Sequence, residues 1–118
     1  MKNLSLIFFL FFFSCVGSKK LETEHKDKLS ISFFSIGSGI DYQKKIEYDK
    51  FIENFQKNEK VSLVVAKSNW GKEGEEDYCI DLKTLSKNKQ EKFIEGSKQL
   101  LSTGAHIRIT EVDSCSKH

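Results

Sequence analysis

The chain has 118 residues, a formal net charge of +2, and 31% charged residues against 38% hydrophobic ones. This length is enough for one small domain and too short for two ordinary ones. Because lysine is interleaved with aspartate and glutamate along the chain, the nearly balanced charge argues against a nucleic-acid partner and against a polybasic contact with membrane lipids.

The chain begins with the pattern of an export signal. Residues 1–3 give a positive start, residues 4–13 form an apolar run, and the small residue Ser14 precedes Cys15. The run is too short to span a membrane, which needs about 20 apolar residues. Residues 12–15, Phe-Phe-Ser-Cys, resemble the lipobox of bacterial lipoproteins.

This resemblance implies that residues 1–14 are removed, that Cys15 becomes the lipid-modified N-terminus, and that residues 15–28 form a flexible lipid-anchored tether. Each buried CH₂ of an acyl chain contributes ~0.8 kcal/mol, so two or three chains anchor a protein permanently. Val16, rather than an aspartate, follows the cysteine. That favours the outer membrane, with the domain facing the periplasm, over the inner membrane. Two alternatives stay open: a secretory signal cut near Gly17, and an uncleaved membrane anchor.

The remaining residues, 29–118, are predicted to form one small α+β domain with a C-terminal tail. A first strand over residues 29–36 is indicated by apolar residues that alternate and then occupy both faces. After the glycines of residues 37–39, Asp41 can cap a helix that ends near Asn58. The apolar positions of that helix recur at helical spacing and are Tyr48, Phe51, Ile52 and Phe55.

Three further elements and a connecting loop are predicted towards the C-terminus. A second strand begins at Val61, and a Gly-rich loop over residues 67–75 leads into a third strand whose residues 77–82 alternate between polar and apolar. The last strand covers residues 106–112 and precedes a polar tail. Between the third and last strands, a second helix carries one stripe made of Phe93, Ile94, Ser97, Leu100 and Leu101.

The order strand, helix, strand, strand, helix, strand resembles the ferredoxin-like plait, with an antiparallel four-stranded sheet and both helices on one face. Right-handed crossovers then imply the spatial strand order 4-1-3-2. The resemblance is one of topology and implies no function.

The three cysteines support a disulfide once the first is assigned to the lipid. Cys79 and Cys115 then remain as a pair in an oxidising compartment. Cys79 is predicted on the helix-free face of the third strand, so the tail after Asp113 must cross the end of the first strand for the two sulfurs to meet. The alternative is a pair of free thiols that bind metal or act in redox chemistry, although CxxC spacing is absent.

The leading functional expectation is a non-catalytic module that binds a protein or another component of the cell envelope. Trp70 is the only tryptophan and is predicted in the Gly-rich loop, close to Lys72 and Glu73. Tryptophan is enriched at binding hot spots because it buries much area at a small entropic cost. Phe34 and Ile36 are expected to extend this surface with apolar area on the helix-free face. The alternative is that Trp70 folds back onto the core.

A second functional class is a small enzyme or metal-handling protein. It would use Cys115, His118 and the acidic residues of the segment 73–81. That segment lacks the DxDxDG type of spacing that hard cations need, and residues 37–39 lack the lysine of a P-loop. No catalytic residue, metal ligand or cofactor is therefore assigned.

Overall fold

The computed structural model describes residues 26–116 and contains the six predicted elements in the predicted order. The strands are β1 (Lys28–Phe33), β2 (Val64–Trp70), β3 (Glu75–Asp81) and β4 (Ile107–Val112), and the helices are α1 (Tyr42–Glu59) and α2 (Lys87–Leu101). The signal predicted over residues 1–14, Cys15 and His118 lie outside the described residues. Neither helix in the described part of the chain has the length and apolar content needed to cross a membrane.

The strands form one antiparallel sheet in the order β2-β3-β1-β4, which is the predicted order read from the opposite edge. Both helices cover the same face of this sheet. Phe33 of β1 meets Tyr48 of α1, with ring centroids 6.3 Å apart. Phe93 of α2 meets Phe55 of α1 at 5.0 Å. The predicted α+β fold, the ferredoxin-like plait, is confirmed.

The hydrophobic core lies between the helices and the sheet. Every second residue of β1 points to this side, and Leu29, Ile31 and Phe33 are 0% exposed. In β3 the same alternation buries Tyr78 and Ile80 completely. The helices contribute the buried residues of their predicted apolar stripes, which are Tyr48, Ile52, Phe55, Phe93, Ile94, Ser97 and Leu101. Strand and helix periodicity therefore predicted most of the core.

Helix α1 begins where the sequence predicts because of the side chain of Asp41. One carboxylate oxygen accepts a hydrogen bond from the Lys44 N–H (3.1 Å), and the other accepts one from the Ala105 N–H (3.0 Å). These bonds, that from Ala105 most of all, hold the pKa of Asp41 below its usual range. The helix ends at Glu59, one residue later than Asn58, because Lys60 adopts a left-handed backbone with φ 53°.

The second strand differs from its prediction. It begins at Val64 rather than Val61 and continues through Trp70, so only the turn of residues 71–74 separates it from β3. The predicted loop over residues 67–75 is wrong. The two glycines at the ends of this turn have φ of 68° and 85°, a conformation that glycine adopts without steric cost.

Cys79 and Cys115 form the predicted disulfide, with their Cα atoms 6.0 Å apart. Cys79 stands opposite Ser30 of β1 in the sheet register, on the face without helices. The tail after β4 crosses β1 near Lys28 and Ser30, because these two residues line a cavity together with Cys115 and Ser116. The tail therefore crosses the start of β1, because the end of β4 pairs with Lys28, and the predicted crossing at the end of the first strand is wrong.

Candidate binding cleft

The face of the sheet opposite the helices carries mainly polar side chains. It shows Ser30 and Ser32 of β1, Asp77 of β3, and Arg108 and Thr110 of β4. Ser32 is paired with Asp77 on one side and with Arg108 on the other, so these three residues form one row across three strands. The apolar area expected on this face is present in part, at Phe34 beside the polar row and at Val64 of β2, which is 60% exposed, whereas Ile36 lies in the segment after β1.

A cavity of about 280 Å³ opens on this face. Small-molecule sites usually range from ~300 to 1,000 Å³, so this cavity lies just below the lower limit and suits only a small ligand. Its lining combines two aromatic rings, two opposite charges and several hydroxyl groups. These residues are, in that order, Trp70 and Phe34, Asp77 and Arg108, and Ser30, Ser32, Ser35, Thr110 and Ser116, and Val112 completes the lining. We call this cavity the cleft.

Hydrogen bonds from Ser32 and Trp70 help to hold Asp77 on the floor of the cleft. Its Oδ1 accepts hydrogen bonds from the Ser32 hydroxyl (2.6 Å) and from the indole Nε1–H of Trp70 (2.9 Å). The second bond also fixes the edge of the half-buried indole ring. Trp70 is thus a strand residue on the open face, and both its predicted loop position and the alternative that it caps the core are wrong.

Phe34 contacts Arg108, which lies at the other end of this row. The Phe34 backbone N–H donates to the His106 carbonyl oxygen (3.0 Å), and the two rings lie with their centroids 5.6 Å apart. The guanidinium carbon of Arg108 is 5.2 Å from the Phe34 ring centroid. This cation–π contact holds the only arginine of the chain at the edge of the cleft.

The other three predicted contact residues do not line the cleft. Glu73 accepts hydrogen bonds from the Ser35 hydroxyl and the Gly39 N–H, which lower the pKa of its carboxyl group. It thereby fastens the β2–β3 turn to the segment after β1. Ile36 is 72% exposed in that segment, and Lys72 is exposed in the turn.

The acidic residues between positions 73 and 81 do not converge. Glu76 points to the helices and forms an ion pair with Lys45 of α1 (3.2 Å), whereas Asp77 points to the cleft on the opposite face. Glu75 is buried beside the turn and accepts the Glu73 N–H (2.8 Å). Alternation along a strand separates these carboxylates.

The alternative use of Cys115 as a thiol ligand or nucleophile is inconsistent with this state of the protein, since its sulfur is bonded to Cys79. Within residues 26–116, no group of three or more His, Cys, Asp or Glu side chains is arranged to hold a metal ion. His118, the other member of that predicted set, lies outside the described residues.

Sequence reasoning did not assign Ser32, Asp77 and Arg108 to a binding surface. Ser32 and Asp77 are 45 positions apart, and the sheet register alone brings them together. One feature of the sequence pointed to this site: Arg108 is the only arginine in a lysine-rich chain, and it lies on a predicted strand in which polar and apolar residues alternate.

Comparison with known proteins gives no relative, because no protein-family model, no curated protein and no solved structure matches the chain. The functional assignment therefore depends on the geometry and chemistry of the cleft.

Proposed function

We propose that this chain is a non-catalytic binding module of the cell envelope and that the cleft is its contact surface. Two residue types that occur once each in the chain, tryptophan and arginine, both line this cavity, at Trp70 and Arg108. Tryptophan and arginine are the types most enriched at binding hot spots. This coincidence is the observation that carries the proposal.

The cleft has the construction expected of a recognition site. Its rings supply apolar area, and Asp77 and Arg108 supply opposite charges whose positions are fixed by neighbouring side chains. Side chains that are held in place before a ligand arrives lose less conformational entropy on binding.

The location is part of the same proposal. The lipobox-like residues 12–15 support an acyl anchor on Cys15. The disulfide between Cys79 and Cys115 is independent support for export, because disulfides persist mainly in oxidising compartments such as the periplasm. The domain would then face the periplasm from the outer membrane.

The binding proposal is tested by chemical crosslinking and pull-down of the lipidated protein from its own cells. We expect a crosslinked envelope component with the wild type, its loss with Trp70→Ala, and its retention with Ile36→Ala. Ile36 is the matched control because it is an apolar residue, 72% exposed, that does not line the cleft. Circular dichroism must show that Trp70→Ala remains folded. Retention of every crosslinked component by folded Trp70→Ala would reject the cleft as the contact surface.

The anchor is tested separately by intact-mass measurement of the protein extracted from membranes. We expect residues 15–118 with acyl groups on Cys15. The mass of an unmodified chain that begins near Gly17 would reject the lipid anchor and leave the binding proposal unaffected.

A further inference from the structure

The two charges of the cleft stand on either side of a serine. Ser32 pairs with both Asp77 and Arg108, and neighbouring strands lie about 4.8 Å apart, so the backbones of the charged residues are about 10 Å apart. Side chains stand roughly perpendicular to a sheet. A cavity lined by both charged groups therefore suits a small ligand that carries both a negative and a positive group.

Arg108 is suited to a carboxylate. A guanidinium group presents its N–H donors in a planar fork that matches the two oxygens of a carboxylate, whereas an ammonium group does not. The ring of Phe34 lies 5.2 Å from the guanidinium carbon. A ring contacts the face of a guanidinium group, whereas the N–H donors of that group point outwards in its plane.

Asp77 is suited to an ammonium group. Its Oδ1 accepts hydrogen bonds from Ser32 and Trp70, and these bonds set the orientation of a carboxylate that lines the cavity. Hydrogen bonds between charged groups are about twice as strong as those between neutral groups. An ammonium donor also carries a full positive charge, so it gains a Coulomb attraction to the carboxylate that a neutral hydroxyl donor lacks.

The size of the cavity and its rings define the rest of the ligand. About 280 Å³ accommodates a molecule of the size of one amino acid. Trp70 and Phe34 provide apolar contact area for a side chain between or beside the charges.

We propose that the cleft binds a free α-amino acid with an apolar or aromatic side chain, its carboxylate on Arg108 and its ammonium group on Asp77. This inference rests on the proposed binding function and names its ligand class. In a peptide, at least one peptide unit separates the ammonium group from the carboxylate, and a neutral sugar carries neither group.

The test uses the fluorescence of Trp70, which is the only tryptophan of the chain and lines the cleft. The full mature protein in detergent is titrated with phenylalanine and leucine, each also as the N-acetyl derivative and as the amide. We expect a saturable change with the free amino acids. Because each blocked form loses one charged hydrogen-bonding group, we expect its affinity to be lower by about tenfold or more.

Two variants test the assigned residues. Arg108→Lys keeps the positive charge but loses the fork, so we expect binding of phenylalanine to weaken about tenfold. Lys72→Ala removes a positive charge from the β2–β3 turn, away from the cleft lining, and we expect unchanged binding. Equal weakening by both variants would overturn the specific role of Arg108.

The failures are distinguishable from one another. Equal affinity for free and blocked forms, or a response only to a neutral sugar or a peptide, overturns the ligand class. No response to any amino acid up to millimolar concentration also overturns the ligand class. In that case, loss of a crosslinked component in Trp70→Ala would still support the proposed binding function. If that variant keeps every component as well, both proposals fail.

Discussion

The buried pair formed by Tyr48 and Ser97 shows how a single polar contact joins the two helices. Both residues are 0% exposed, and their hydroxyl oxygens are 2.9 Å apart. Burial raises the pKa of Tyr48 far above its ordinary value, although the bond to Ser97 acts in the opposite direction. The phenol is therefore neutral at physiological pH, and each hydroxyl serves as the partner of the other inside the core.

Removing one member of this pair is expected to be costly. Tyr48→Phe should lower the free energy of unfolding by about 1–2 kcal/mol, because the Ser97 hydroxyl stays buried without that partner. Ser97→Ala should cost a similar amount, and the double variant should lose less than the sum of the two. Urea unfolding of the three variants measures this coupling.

The control for this cycle is Tyr42→Phe, at a tyrosine that is 57% exposed. We expect it to change the free energy of unfolding by less than about 0.5 kcal/mol. Strictly additive losses from the two core substitutions would contradict the assigned role of the pair.

At the scale of secondary-structure elements, Asp49 fastens α1 to the β2–β3 hairpin. Its Oδ1 accepts hydrogen bonds from the Tyr78 hydroxyl (2.6 Å) and from Nζ of Lys67 (3.1 Å). Nζ of Lys45 lies 3.6 Å from the other oxygen. Burial by itself would raise the pKa of Asp49, but these hydrogen bonds and positive charges outweigh it and hold the pKa below its usual value.

This pKa shift makes a pH-dependent prediction for Asp49→Asn. Because the folded-state pKa lies below the unfolded value of about 3.9, the carboxylate stabilises the fold above that pH. Its contribution is lost as the pH falls through the folded-state pKa. We expect the variant to cost about 1–2 kcal/mol at pH 7 and progressively less below about pH 4.

Urea midpoints of wild type and Asp49→Asn across this pH range check the prediction, and a difference that stays constant down to pH 3 would count against it. Glu53→Gln is the matched control on the same helix. Glu53 pairs with Lys57 at 3.2 Å on the exposed surface. Exposed pairs contribute about 0–1 kcal/mol, so we expect a small effect.

The elements that the sequence predicted best are those with one buried face. In β1 and β3, burial of alternate residues leaves a period of two in the sequence, and in α1 the Asp41 cap marks the start of the helix. The end of β2 was missed because residues 67–69 are polar and exposed, as an edge strand allows. Hydrogen bonds to β3, rather than a hydrophobic pattern, keep this stretch extended.

The cleft was less predictable than the fold for a related reason. Trp70 and Phe34 could be singled out from residue type alone. Asp77 and Arg108 became part of the site only through the register of β1 with both of its neighbours. A shift of one residue in either pairing would move the charged side chain to the helix side, so no property of the isolated residues identifies the site.

At the scale of the whole molecule, the disulfide links the tail that follows β4 to β3. Cys79 lies inside the sheet and Cys115 in the tail, with a sequence separation of 36. A domain of this size has a small core, and its net stability is usually about 5–15 kcal/mol or less. The chain-entropy estimate for a loop of this length is about 3–4 kcal/mol, a substantial share of that total.

Replacing both Cys79 and Cys115 with serine should therefore lower the melting temperature by roughly 15–25 °C, since each kcal/mol shifts a small domain by about 4–8 °C. Wild type in reductant should melt at the same lowered temperature, and reductant should not change the variant. Ser116, next to Cys115 in the tail, lines the cleft, so release of the tail should also weaken amino-acid binding. Thermal melts and the fluorescence titration measure the two effects on the same samples. A wild-type melting temperature that reductant leaves unchanged would show that the sheet and helices hold the fold without the tail.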